Sequence, residues 1–169
     1  IFSNTIPFMK KLIFLIFLLI TVMGIQSQLP GAPIDIRHYE FSLSLSDSSD
    51  IIMGKAVIDL TILKNTHIIS LDLVSLKANG KGMKVLTVSN NDQTLSFEHN
   101  NDIITIHLPA INRAGAQQTI SISYEGIPAD GLVIARNKYG HRGFFADNWP
   151  NRARNWLPCV DPLFAIATT

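Results

Sequence analysis

The sequence predicts an all-β domain, built either as an antiparallel sandwich or as a saddle-shaped sheet. Apolar and polar residues alternate in short runs from about Asp35 onward, which places apolar side chains on one face of each predicted strand. Turn-forming residues separate these runs. No stretch after Asp35 has the apolar period of an amphipathic helix, so the all-β class is favoured over mixed classes.

The predicted strands follow one another at short intervals. Phe41, Leu43 and Leu45 form the apolar face of the first strand, with serines between them. The same alternation recurs at 58–62, 69–73, 95–97, 104–108 and 120–124, and 132–136 can form a further strand. One apolar and one polar face is typical of half-buried antiparallel strands.

Asparagine, aspartate and glycine fill the intervals between these strands. Such residues accept left-handed backbone conformations and therefore reverse the chain. The predicted turns include Asn79-Gly80, 90–92, 100–102, Ala114-Gly115 and Asp130-Gly131. Regular alternation ends after Tyr124, and residues 139–161 are predicted to be an aromatic, loop-like stretch.

The N-terminal residues differ from the rest of the chain. Lys10 and Lys11 precede an apolar run at 12–23, which is short for a membrane span and has the length of a signal-peptide core. Small residues at Gly24 and Ser27 predict cleavage near Ser27, with Gly24 as the alternative.

Residues 9–27 are therefore predicted to be a signal peptide. It would direct export to the periplasm or the medium and leave no stable membrane anchor. Residues 1–8 precede Met9 and are interpreted as translation upstream of the true start. An antiparallel β-domain is predicted at 28–146.

Composition excludes some function classes. The 169-residue chain has a formal net charge of +1, which argues against nucleic acid as a partner. Cys159 is the single cysteine of the chain, so no internal disulfide can form. It is interpreted as a small buried apolar residue, not as a nucleophile.

No catalytic or metal-binding residue is predicted. A zinc peptidase needs two histidines and a glutamate in the helical pattern H-E-x-x-H, and none of the five histidines has a partner at that spacing. A Gly-x-Ser-x-Gly nucleophile motif is absent, and the glycines around Lys81 do not match a phosphate-binding loop. The chain by itself is therefore expected to need no cofactor.

The most informative stretch lies near the C-terminus. It contains two rare combinations, Asn148-Trp149-Pro150-Asn151 and Trp156-Leu157-Pro158-Cys159-Val160-Asp161, with an Ala153-Arg154 pair between them. They resemble the end of the N-terminal β-domain in zinc metallopeptidases of the aminopeptidase N-like family. Earlier segments are also similar to the family's strands, such as 37–45 and 69–76.

This resemblance implies an inactive fragment of a larger enzyme. Residues 147–169 would form a junction toward a missing catalytic domain, with junction residues Trp149, Arg154, Trp156, Pro158, Cys159 and Asp161. The full-length family binds zinc and cleaves N-terminal residues from peptide substrates. A family residue, usually Gln, borders the pocket for the substrate's N-terminal residue, and Asp147 occupies that position here, where its carboxylate could pair with an amine.

Two other functions remain open at this point. A stand-alone exported β-sandwich that binds a protein or a carbohydrate would show the same strand pattern. The chain could also be an independent hydrolase, which is disfavoured because no catalytic constellation is present.

Overall fold

The computed structural model of this chain describes residues 33–160. Within that range the backbone forms ten β-strands and one turn of 3-10 helix. Every ladder between these strands is antiparallel, which confirms the predicted all-β antiparallel class. The strands are β1 (Ile34–Ser44), β2 (Ile52–Ile62), β3 (Thr66–Asp72), β4 (Gly82–Asn90), β5 (Gln93–Thr94), β6 (Ser96–Asn100), β7 (Ile103–Asn112), β8 (Gln117–Ile127), β9 (Leu132–Arg136) and β10 (Arg142–Ala146).

Two of the sequence-based predictions concern residues outside this range. The predicted signal peptide at 9–27 and the predicted upstream translation at 1–8 both precede the described residues. Within residues 33–160, no helix is long and apolar enough to cross a membrane.

The larger sheet has five strands in the order β1-β2-β8-β4-β5. Strand β2 pairs with β1 on one side and with β8 on the other over nearly its whole length. Its side chains alternate between buried and more exposed positions, as the period of a half-buried strand requires. The buried positions are Ile52, Gly54, Ala56, Ile58, Leu60 and Ile62.

The second sheet has three strands in the order β3-β7-β6. Its buried side chains share one hydrophobic core with those of the larger sheet. Burial of each such aliphatic side chain contributes about 1.5–3 kcal/mol, so this shared core supplies the main stabilisation. The second sheet contributes Ile69, Leu71, Ile104, Ile106 and Leu108 to the core.

Strand β4 is a strand that alternation in the sequence does not reveal. Its buried residues Met83, Val85 and Val88 break the period of two. The reason is a register shift between Val85 and Thr87 in the ladder with β8. An extra residue at such a bulge changes the face to which the following side chains point.

Strands β9 and β10 form a separate two-stranded sheet. Strand β10 lies inside 139–161, which the sequence predicts to be loop-like. In the register of this hairpin, Phe144 is opposite Ile134 and Phe145 is opposite Val133. Apolar residues therefore occupy both faces, and without a polar face the alternation that predicts a strand is hidden.

Candidate functional site

The segment 152–160, here called the closing segment, enters the core of the β-domain. It begins with the 3-10 helix Arg152–Asn155. Trp156 and Leu157 follow directly and are buried in the core cluster with the two sheets. The Trp156 indole Nε1 donates a hydrogen bond to Asn148 Oδ1 at 2.9 Å, so the buried ring also has its polar atom satisfied.

Backbone hydrogen bonds tie the closing segment to the edge of β3. The Asp72 amide donates to the Cys159 carbonyl at 2.7 Å, and the Cys159 amide donates back to the Asp72 carbonyl at 3.1 Å. The Val74 amide donates to the Arg154 carbonyl at 2.8 Å. Arg154 Nη2 also lies 3.4 Å from Asp72 Oδ1, which adds an ion pair at the same junction.

The end of the closing segment is held by a tyrosine of β1. The Val160 amide donates to the Tyr39 hydroxyl at 3.0 Å. Burial raises the pKa of Tyr39 to about 12, although this hydrogen bond acts in the opposite direction. The hydroxyl is therefore protonated at neutral pH and remains available as an acceptor for the Val160 amide.

The segment 73–75, whose Val74 amide bonds the closing segment, is itself held by Asp102. The Asp102 carbonyl accepts from the Leu73 amide at 3.0 Å, and Asp102 Oδ1 accepts from the Ser75 amide at 2.9 Å. The Lys77 ammonium forms an ion pair with the same carboxylate. Partial burial raises the pKa of Asp102, but the hydrogen bonds from Lys77 and Ser75 outweigh it and hold the pKa below its usual range.

Asp147, the predicted substrate-binding residue, lies between the hairpin and the closing segment. Its carboxylate accepts a hydrogen bond from Arg152 Nη1 at 2.8 Å. Arg152 Nε also lies 3.6 Å from Asp130 Oδ2, so one guanidinium bridges two carboxylates. The Asp147 amide donates to the Gly131 carbonyl at 2.8 Å. The Asp147 side chain remains 44% exposed, so one side of it can still meet a ligand.

The outer face of the β9–β10 hairpin is apolar and exposed. Val133 and Phe145 are opposite each other there, and Ala135 is opposite Gly143. The exposed fraction is 50% for Val133 and 67% for Phe145. Trp149, in the loop after β10, is 79% exposed. We call Val133, Ala135, Gly143, Phe145 and Trp149 the exposed apolar surface.

The other predicted junction residues have varied surroundings. Pro158 is buried and Cys159 is half-buried, both in the closing segment. Asp161 lies outside the described residues. Sequence reasoning did not single out Val133 or Phe145, because apolar residues on both hairpin faces give no sign of which face meets the core. A strand prediction at 142–146 would have placed Phe144 and Phe145 on opposite faces.

A shallow groove lies on the larger sheet. It has a volume of about 400 Å³ and is lined by small and apolar residues, including Ser42, Met53 and Leu86. Tyr124 lies beneath it and packs over Gly54, where an added Cβ would meet the tyrosine ring at 2.3 Å. Burial raises the pKa of Tyr124. Its hydroxyl has no hydrogen-bond partner within residues 33–160.

Zinc ligands are not brought together in the described part of the chain. Among residues 33–160, no three His, Cys, Asp or Glu side chains are close enough to hold one metal ion. These residues therefore do not fit a zinc ion, and we assign no metal-dependent step to them. The expectation that the chain needs no cofactor stays a prediction.

The fold and the sequence motifs at 148–161 define a class of protein: an antiparallel β-domain followed by an Asn-Trp-Pro and a Leu-Pro-Cys-x-Asp motif. The sequence profile of the peptidase M1 N-terminal domain matches residues 36–162, and the chain belongs to this family. The predicted relation to zinc metallopeptidases of the aminopeptidase N-like family is confirmed. No curated protein matches the chain significantly.

Solved structures share the fold. The M1 zinc metallopeptidase from Deinococcus radiodurans aligns with a TM-score of 0.61 and 23% identity over 77% of this chain. A variant of that enzyme bound to a Tyr-Ser-Ala substrate aligns with a TM-score of 0.60 and 22% identity over 76% of this chain. A two-domain M1 zinc metallopeptidase bound to L-tryptophan aligns with a TM-score of 0.60 and 23% identity over 76% of this chain. The alignments cover 29%, 29% and 30% of those chains, so this chain spans less than a third of their length.

Proposed function

We propose that this chain is the N-terminal domain of an exported, zinc-dependent aminopeptidase and is inactive without the catalytic part. The observation that carries the proposal is the family match over residues 36–162. This chain spans less than a third of the structural neighbours, which are described as zinc metallopeptidases. That difference in length supports the view that this chain is one domain of a longer enzyme. The signal-peptide pattern at 9–27 supports export.

The proposed enzyme would hold zinc on ligands outside residues 33–160, and the metal would supply Lewis-acid chemistry for peptide hydrolysis when bound. The contribution of this domain would be to bind and orient the peptide substrate. Asp147 is the candidate for this role because its carboxylate is partly exposed and can pair with a free N-terminal amine. Arg152 holds the carboxylate in place, which reduces the entropy lost when an amine binds.

The first test is to sequence the coding DNA through and beyond the Thr169 codon. We expect a continuation, in frame or after a single frameshift, that encodes H-E-x-x-H and a downstream glutamate. The polypeptide encoded together with this continuation, here called the uninterrupted polypeptide, should then bind zinc and release amino acids from the N-terminus of peptides. If every reading frame lacks such a motif, the proposal fails and a stand-alone exported binding module takes its place.

The role of Asp147 is tested in that same uninterrupted polypeptide. Asp147→Asn should raise KM for peptides with a free N-terminal amine, because the neutral amide pairs less strongly with an ammonium group. The matched control is Asp130→Asn, which changes the other carboxylate beside Arg152. Equal KM values for Asp147→Asn and the parent would remove Asp147 from the substrate site.

A further inference from the structure

The Asp130-Gly131 turn between β8 and β9 holds a carboxyl group beside the next backbone nitrogen. The Gly131 amide donates a hydrogen bond to Asp130 Oδ1 at 2.8 Å. Because Cγ is one covalent bond from Oδ1, the same contact keeps this carbon close to the Gly131 nitrogen. Arg152 Nε lies 3.6 Å from the other carboxylate oxygen, Oδ2, and helps to orient the group. A nucleophilic atom held next to an electrophilic carbon is the arrangement that accelerates intramolecular reactions.

Glycine at position 131 and exposure of the aspartate both favour a reaction between these two groups. Gly131 has φ +79°, a left-handed conformation that glycine adopts without strain. Since glycine has no side chain, nothing on Gly131 itself shields its nitrogen from the neighbouring carboxyl group. The Asp130 side chain is 57% exposed, so solvent can protonate the carboxyl group and can supply water to it. The pair therefore combines close approach of the reacting atoms with access to water.

The Asn79-Gly80 turn has the same glycine conformation but different contacts. Gly80 also has φ +79°. Its amide donates to the Lys77 carbonyl at 2.9 Å, and Asn79 Oδ1 accepts from the Lys81 amide at 3.0 Å. The nitrogen and the side chain of this pair are thus each engaged with another residue, whereas those of Asp130-Gly131 are engaged with each other. The two turns form a natural comparison of reactive and unreactive geometry.

We propose that Asp130 is a site of spontaneous isomerisation to isoaspartate. The Gly131 nitrogen bonds to Cγ of the protonated Asp130 carboxyl group, and the amide proton leaves with the carboxyl hydroxyl as water, which closes a five-membered imide. Water then adds to one of the two imide carbonyls. Cleavage of the new N–Cγ bond restores aspartate, whereas cleavage of the original peptide bond leaves the main chain running through Cγ. The water lost on closure is regained on opening, so the reaction needs no co-reactant besides water.

Isoaspartate at position 130 would disturb the surroundings of Asp147. It adds one methylene to the main chain and so displaces Gly131, which has little space: an added Cβ there would lie 2.6 Å from the Arg152 carbonyl oxygen. The Gly131 carbonyl accepts from the Asp147 amide at 2.8 Å, so the displacement reaches Asp147 and Arg152 together. The isomerisation itself does not depend on the proposed aminopeptidase function, because its reacting atoms all belong to residues 130 and 131.

The test incubates the folded 169-residue chain at neutral pH beside the same chain denatured in guanidinium chloride. Trypsin then releases the peptide 114–136, in which Asp130 is the single aspartate or asparagine, and electron-transfer mass spectrometry distinguishes its isoaspartate form. Deamidation of Asn79 is followed in the same samples by its gain in mass. We expect Asp130 to isomerise at least as fast in the folded chain as in the denatured one. Asn79 should react at least about tenfold more slowly in the folded chain, because its geometry is unfavourable there.

Slower isomerisation of Asp130 in the folded chain than in the denatured chain overturns the inference. A ratio of folded to denatured rates that is no higher at Asp130 than at Asn79 overturns it as well, since the contact with Gly131 would then have no effect. Asp130→Glu is the matched control for the consequence, because it keeps a carboxylate near Arg152 but could close only a six-membered imide, which forms much more slowly. Incubation should lower the melting temperature of the parent and leave that of Asp130→Glu unchanged. Equal losses in both would contradict the effect on the surroundings of Asp147.

Discussion

The closing segment follows the loop 147–151 in the sequence, and the β9–β10 hairpin precedes it. The two differ in the burial of their aromatic residues. The closing segment turns Trp156 into the core and joins β3 through backbone hydrogen bonds. The hairpin turns Phe145 outward, and Trp149 in the loop is also exposed. One aromatic-rich stretch is therefore divided by its surroundings: part of it completes the core of the β-domain, and part of it stays exposed.

The two tryptophans give the largest expected contrast. Trp156→Ala should lower the free energy of unfolding by about 3–5 kcal/mol, because it empties a core site and removes the partner of Asn148. Trp149→Ala should change it by less than about 0.5 kcal/mol, because that ring is 79% exposed. Urea denaturation of the two variants measures both values. Similar losses in the free energy of unfolding for the two variants would mean that Trp156 and Trp149 do not differ in burial.

Two glycines extend the contrast to the backbone. Gly131 has φ +79°, and an added Cβ would lie 2.6 Å from the Arg152 carbonyl oxygen of the closing segment. Gly131→Ala should therefore cost about 1–3 kcal/mol in the free energy of unfolding. Gly143 is on the outer hairpin face, where the nearest atom to an added Cβ is 3.8 Å away. We expect Gly143→Ala to stay within about 0.5 kcal/mol of the parent in urea denaturation. A costly Gly143→Ala would show that the outer face is already packed.

The sequence predicts the strands with regular alternation better than it predicts the site. Strand β2 and strand β8 are evident because a single face of each is buried, so burial and hydropathy have the same period. Strand β4 is missed because its bulge after Val85 resets that period. Strand β10 is missed because Phe144 and Phe145 are adjacent and apolar, one for each face of the hairpin.

The surroundings of the C-terminal aromatic residues depend on tertiary contacts that local sequence does not encode. Trp149 and Trp156 both belong to motifs that indicate the family, and the motifs alone do not tell which ring is buried. The ties of the closing segment reach Tyr39 and Asp72, which are distant in sequence. Such long-range contacts can be identified only once the fold is known.

Two tyrosines test how firmly the end of the closing segment is held. Tyr39→Phe removes the acceptor of the Val160 amide and should cost about 1 kcal/mol in the free energy of unfolding. It should also speed proteolysis near Val160, since that amide then lacks its tie to β1. Tyr139→Phe makes the same chemical change at a hairpin residue that is 72% exposed, and should leave both measurements unchanged. Equal protease sensitivity of the two variants would argue that the hydrogen bond to Tyr39 does not hold the segment.

The smallest expected effect depends on pH and concerns Asp102, which holds the segment 73–75 beside the closing segment. Asn101-Asp102 and Asn91-Asp92 are two hairpin turns with similar positive φ angles, 52° and 65° against 45° and 66°. Asp102 accepts from the Ser75 amide and pairs with Lys77, and its folded pKa lies below the model-peptide value of 3.8. Ionised Asp102 therefore stabilises the folded state at pH values above 3.8, and this contribution is lost as the pH falls below 3.8 through the lowered pKa.

Asp102→Asn should accordingly lower the free energy of unfolding by about 0.5–1 kcal/mol at neutral pH, because the ion pair is partly exposed and screened by solvent. Parent and variant should converge in urea denaturation once the pH is well below 3.8. Asp92→Asn makes the same substitution in the other turn and is the matched control for a change in turn conformation. If the free energy of unfolding differs between Asp102→Asn and the parent by the same amount at every pH, the substitution acts through the turn conformation. A difference that disappears in acid would show that the Asp102 charge itself holds the segment 73–75, to which the closing segment is bonded.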